Sequence, residues 1–280
     1  MSRKFSKLQS FSNVTAGDTA TLELPLGLTY DKVHILHTGV TLAQLKNIRV
    51  EVNGKPIREY KDGVELDNEN QYYGYNVEAG TLDICFKREE MKTLAEARSF
   101  SLGTSSRPYS DGQQMVKPPA IANVTIRMDI DAAAAAPNLT AYAILSPAAP
   151  IGFITKKKNF PKQLNAGVTE IDNLPRPNTA RIGAFHIVTA ATIERIEVEM
   201  DSIKIFELPV DLAKKVQTDH GRFPQADRHV VDFMMEGDLL QALPMAGVQD
   251  LRIRVYADAG TAAGTPCNVE IHYLDGLAGI

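Results

Sequence analysis

Apolar residues recur at every second position along much of the chain. Ile48, Val50 and Val52 alternate with Arg49 and Glu51, the period of a strand buried on one side. Asn53-Gly54 follows at once, the pair best suited to a two-residue hairpin turn, so residues 57–60 are expected to return beside that strand. Residues 19–24, 33–38, 72–77, 81–86, 124–130 and 140–145 read as further strands, punctuated by Gly, Pro and Asn. Residues 89–98 combine strong helix formers with Met91, Leu94 and Ala95 at helical spacing, and are the best helix of the first half. Residues 1–12, with Arg3, Lys4 and Lys7 among Phe5, Leu8 and Phe11, suit a short amphipathic helix or a basic arm.

The second half replays this order. Ala166-Gly167, Thr169 and Leu174-Pro175 repeat Ala16-Gly17, Thr19 and Leu24-Pro25 at a shift of 150 residues. Ile196, Val198 and Met200 repeat Ile48, Val50 and Val52, and Val231-Asp232-Phe233 repeats Leu82-Asp83-Ile84. Ile253-Arg254-Val255 matches Ile126-Arg127-Met128, with the shift reduced to 127. One unit used twice accounts for these matches in order. The polar, Gly/Pro-rich stretch 99–120 of the first copy accounts for the reduced shift, because loops absorb length differences without disturbing a core. The expected division is a basic arm over 1–12, a first unit over 13–147, a linker over 148–162 and a second unit over 163–280.

Each unit has about eight short strands and little helix, which favours an antiparallel sandwich or barrel. Parallel winding needs a helix after most strands, and the chain lacks them. The fold class expected is all-β: two tandem eight-stranded jelly rolls with short helices in loops. An immunoglobulin-like sandwich is disfavoured by the absence of Trp and of a Cys…Trp…Cys pattern. An even strand count returns each unit to the side it started from. The N-terminus, linker and C-terminus should then gather at one end, with Arg3, Lys4, Lys7, Lys156, Lys157, Lys158 and Lys162.

A net charge of −4 over 280 residues argues against general nucleic-acid binding. No apolar run reaches the roughly 18 residues of a membrane span, and MSRKFSKLQSF lacks the apolar core of a signal peptide. Synthesis in the cytoplasm is the expectation. Cys85 and Cys267 have neither metal nor redox spacing. No Gly-x-Ser-x-Gly elbow and no phosphate-binding Gly-rich loop occur. A two-barrel metalloenzyme of the bicupin kind would need two histidines one residue apart followed by a glutamate; His34 and His37 are three apart and point to opposite faces of a strand. Asp129 and Asp131 share one face of a strand and are candidate calcium ligands, although a solvated strand end is the simpler and favoured reading. The lysines at 156–158 suit a solvated linker or attraction to an anionic lipid surface.

The stretch KKKNFPKQLNAGVTEIDNLPRPNTARIGAFHI resembles the central segment of the major capsid protein of corticovirus-type phages, which are tailless, icosahedral and carry an internal membrane. MDIDAAAAAP, VDFMMEGD, QDLRIRV and the opening residues 13–25 are similar to other parts of that protein. The resemblance implies a non-enzymatic capsid subunit with a double jelly roll. It implies a homotrimer that forms a pseudo-hexagonal capsomer, a trimer–trimer lattice, and contacts with a vertex penton and the viral membrane surface, without direct nucleic-acid contact. It also implies that the linker end faces lipid, and it adds weight to calcium at Asp129 and Asp131. A carbohydrate-binding spike or adhesin module is the main alternative, supported only by Tyr72, Tyr73 and Tyr75.

Overall fold

The computed structural model describes residues 3–279, and the chain divides into two compact units, Met1–Thr155 and Lys156–Ile280. The main strands of the first unit are β1 (Lys4–Lys7), β2 (Thr19–Glu23), β3 (Thr29–Thr38), β4 (Leu45–Val52), β5 (Lys55–Asp62), β6 (Thr81–Cys85), β7 (Val124–Ile130) and β8 (Asn138–Ser146). Helix α1 (Gly63–Tyr72) follows β5, and α2 (Leu94–Ser99) follows β6. In the second unit the strands are β9 (Ile154–Leu164), β10 (Gly167–Ile171), β11 (Arg181–Thr189), β12 (Ile193–Met200), β13 (Ile203–Pro209), β14 (Arg228–Asp232), β15 (Leu251–Ala257) and β16 (Thr265–Asp275). Helix α3 (Val210–Asp219) follows β13.

The first unit pairs its strands as β1-β8-β3-β6 and β2-β7-β4-β5; the second pairs them as β9-β16-β11-β14 and β10-β15-β12-β13. The two orders coincide when each strand number is raised by eight, so both units are the same jelly roll. Side chains alternate as the sequence period requires. In the first unit Leu22, Val33, Ile35, Val50, Ile126 and Ala141 fill the space between the sheets. Ile171, Phe185, Val198, Ile253, Val269 and Ile271 do so in the second.

The repeated residues now have physical reasons. Gly17 and Gly167 both take the left-handed conformation, at φ 86° and 83°, which a side chain would strain. Leu24 and Leu174 are buried. The carbonyls of Pro25 and Pro175 each accept a hydrogen bond from a buried tyrosine hydroxyl, Tyr30 at 2.7 Å and Tyr273 at 2.8 Å. Asn53 and Gly54 both have positive φ, the turn their sequence calls for.

The structure corrects the expected elements in five places. Lys4–Lys7 is a strand paired with β8 rather than a loose arm or helix. Residues 72–77 end helix α1 and enter a loop; Asp62 caps that helix by accepting from the Glu65 amide at 2.9 Å. The helix expected over 89–98 shrinks to Leu94–Ser99, started by the Thr93 cap. The linker expected over 148–162 is shorter, because Ile154–Leu164 is a strand of the second unit's sheet. Finally, register places Asp83 opposite His34 and Val230 opposite His186, so Val230 and not Asp232 is the counterpart of Asp83.

Candidate functional site

The sheet β1-β8-β3-β6 has one face on the core and one facing away. Register puts Phe5 beside Ile144 and Lys7 beside Tyr142, while Tyr142 neighbours His34. With Lys32, Leu36 and Asp83 these residues make the outer face, since strand residues two apart share a side. Phe5 is 76% exposed, Leu36 42% and Tyr142 38%. Next to them Asp83 accepts from His34 Nδ1 at 2.6 Å and lies 3.4 Å from Lys32 Nζ. Lys32 also sits over the Tyr75 ring at 5.2 Å. These groups border a recess of about 420 Å³ that also touches Asp67 and Glu89. Burial, and then the nearby Asp83 charge, raise the Asp67 carboxyl above its ordinary pKa.

The corresponding outer face of the second unit is buried. His186, Glu270 and His272 occupy the places of His34, Tyr142 and Ile144 in strands β11 and β16, and none exceeds 1% exposure. Glu270 Oε2 lies 2.7 Å from Arg228 Nη1 and 3.0 Å from Lys157 Nζ. Arg228 Nη1 is also 2.9 Å from His186 Nδ1. A guanidinium only donates, so His186 Nδ1 is the acceptor and its ring is neutral. The His186 and His272 rings stack at 4.2 Å. Two further buried pairs flank the cluster: Arg222 with Asp232 at 2.9 Å, and Lys156 with Asp275 at 3.2 Å.

His186, Glu270 and His272 place one ligand atom each within 4.8 Å of one another, a spacing that would suit a metal ion. The surroundings do not. Arg228 and Lys157 already set two fixed cations on one Glu270 oxygen, and a divalent ion would add charge where the carboxylate is already compensated. The cluster is a buried ion network.

The basic residues singled out from sequence separate into three groups. Lys156 and Lys157 are buried and ion-paired, so neither offers its charge to a lipid surface; their partners lie more than a hundred residues later, out of reach of local pattern. Arg3 is held by Asp31 through Nε at 3.2 Å and Nη2 at 3.1 Å. Lys4 and Lys7 are exposed, and Lys158 and Lys162 are half-buried. Arg3, Lys4 and Lys7 belong to the first unit, the others to the second.

Asp129 is the penultimate residue of β7, which ends at Ile130, while Asp131 lies just past it. Asp129 accepts from Thr19 at 2.6 Å and Asn47 at 2.8 Å. Asp131 accepts from the Ala133 amide at 2.8 Å and pairs with Lys46. Each of the four carboxylate oxygens already has one partner in the chain, and nothing in this arrangement itself points to calcium. Tyr72 is buried and Tyr73 nearly so, which removes both from a glycan-binding surface. Cys85 and Cys267 are free and buried; burial pushes their thiols up to about 12 and about 11, leaving neither a nucleophile at neutral pH.

Comparison with known proteins agrees with this architecture. Residues 5–146 match the family described as viral coat protein P2 N-terminal domain, and residues 154–277 match viral coat protein P2 C-terminal domain. The major capsid protein P2 of Pseudoalteromonas phage PM2 is 36% identical over 264 residues, covering 90% of this chain and 91% of the relative. The crystal structure of the PM2 protein superposes with a TM-score of 0.89 at 33% identity, covering 99% of this chain and 98% of that one. The Sulfolobus turreted icosahedral virus major capsid protein shares the fold at 10% identity, with a TM-score of 0.65 over 99% and 97% of the two chains.

Proposed function

Because the chain belongs to the viral coat protein P2 family, we propose that it is the major capsid protein of a PM2-like phage and builds the shell as a homotrimer. It is a structural protein of the virion capsid and not an enzyme, as its relative in phage PM2 is. The observation that carries the trimer is the contrast between two equivalent sheet faces. The face around Glu270 is buried, whereas the face around Tyr142 leaves Phe5 and Leu36 open to solvent.

Large apolar side chains clustered on one face mark an interaction surface. A second copy is the fitting partner, because a major capsid protein, as the relative in phage PM2 is, forms a shell by associating with itself. A contact between unlike surfaces repeats head to tail and must close into a ring to give a finite particle. Two barrels per copy and three copies give a six-barrel ring, the shape that fills a hexagonal lattice. Each contact should bury more than about 1,200 Å² in total.

Smaller contacts would join capsomers to each other and to a vertex protein. Lys4 and Lys162 remain as basic residues for a lipid surface, each worth about 1 kcal/mol when close to anionic headgroups. Electron microscopy of the purified protein tests the shell reading. Six-lobed particles that tile into sheets or shells are expected; dispersed single chains at micromolar concentration would overturn it.

A further inference from the structure

One end of the first barrel carries a second recess, separate from the outer face. It has a volume of about 290 Å³ and is lined by Lys4, Arg107, Ser105, Ser106 and Ser146, with Leu28 and Leu145 among its apolar walls. Register pairs Lys4, the first residue of β1, with Leu145, and both line the recess. Arg107 comes from the polar loop over 99–120, the insertion that distinguishes the first repeat.

The charge of this recess is one-sided. Its lining contains Lys4 and Arg107 and no carboxylate, in a chain whose net charge is −4. Ser146, one of the lining residues, donates to the buried Asp31 at 2.7 Å, and that carboxylate is also satisfied by Arg3 and by Ser101 Oγ at 2.7 Å. Neither Lys4 nor Arg107 has an ion-pair partner among the described residues. Ser105 Oγ accepts from the Arg107 amide at 3.3 Å, which leaves its hydroxyl hydrogen to donate. The recess therefore offers two cations and the Ser105 and Ser106 hydroxyls to one small volume, beside an apolar wall.

We propose that this recess binds a phosphate group, supplied by an anionic phospholipid headgroup or by free phosphate. An arginine fork and a lysine match the oxygens of a phosphate, two hydroxyls add neutral donors, and the apolar wall suits the carbon skeleton next to a headgroup. The inference does not rest on the trimer, whose contact surface is a different face of the sheet.

The test uses full-length protein, wild type and the double variant Lys4→Gln/Arg107→Gln, with Lys55→Gln/Lys92→Gln as a charge-matched control away from the recess. Titration with inorganic phosphate should be saturable in wild type and control and at least tenfold weaker in the Lys4/Arg107 variant. Arg107→Lys, which keeps the charge but loses the fork, should bind more weakly than wild type and more tightly than the double variant. Flotation with phosphatidylglycerol vesicles, against phosphatidylcholine vesicles, separates the sources. Lipid binding lost only in the Lys4/Arg107 variant assigns the site to a headgroup. Phosphate binding without vesicle binding supports the site and assigns it to soluble phosphate. Equal phosphate affinity in all three proteins, or none in wild type, overturns it. Because both side chains are exposed, unchanged melting curves show that the variant is folded.

Discussion

The two barrels of this chain share every main strand in the same order, yet their equivalent outer faces have opposite fates. In the second barrel, His186, Glu270 and His272 are buried in a network of ions. In the first, the same positions are His34, Tyr142 and Ile144, and the surface stays open. The difference shows what duplication allows. One copy of the surface is buried, and the other leaves Phe5, Leu36 and Tyr142 exposed. The buried copy carries ion-paired charged residues, and the exposed copy carries aromatic and aliphatic ones.

The largest expected effect breaks the buried side. Glu270→Gln leaves Lys157 and Arg228 without their shared counter-charge, at a cost of about 3–5 kcal/mol. Asp83→Asn removes the partly exposed partner of His34 and Lys32 in the first barrel, at a cost of about 1 kcal/mol or less. Urea unfolding of both variants checks the ratio, and equal losses would show that the two faces are not energetically distinct.

Acid should act on the second barrel first. His229 occupies the register position of Leu82 in the first barrel, faces the core, and has no hydrogen-bond partner at either ring nitrogen. Burial, with a smaller contribution from Lys214, lowers its pKa from 6.5 to about 4. Between those values the unfolded chain holds more protons than the folded one, so stability falls as pH drops through that window, approaching ~3 kcal/mol near pH 4. His229→Leu, the residue the first barrel uses, should melt at least as high at pH 7 and lose less stability between pH 6.5 and 4 than wild type. A parallel loss in both proteins would locate the acid sensitivity elsewhere.

A smaller effect lies in the matching hairpins. Asn53-Gly54 and Asp201-Ser202 both take positive φ at both turn residues, and only the first pair ends in glycine. Ser202→Gly should stabilise by about 1 kcal/mol, and Gly54→Ser should cost a similar amount. Thermal melts of the two variants should shift in opposite directions.

The doubling and the strand order were legible because they are written in local signals: the period of two, Asn53-Gly54, and the repeated Ala-Gly and Leu-Pro pairs. Helix α1 was missed because GVELDNENQY lacks a clear apolar stripe and Tyr72-Tyr73 favours a strand. Its one usable signal was Asp62 three residues before Glu65. Helix α3 had a better one, with Pro209 followed by Val210, Ala213 and Gln217, the residues it buries. The fate of Lys156 and Lys157 was not legible. A lysine run looks solvated until a strand pairing sets Asp275 and Glu270 beside it. The open face was equally hidden, since Phe5, Leu36 and Tyr142 come from three strands that only the jelly-roll order brings together.

Native mass spectrometry of the full chain, wild type beside Leu36→Lys/Tyr142→Glu, tests the assembly claim most directly. Wild type is expected as a species of three times 30.7 kDa, and the variant as a folded single chain. A wild-type monomer at micromolar concentration, or a variant that remains a trimer, would contradict it.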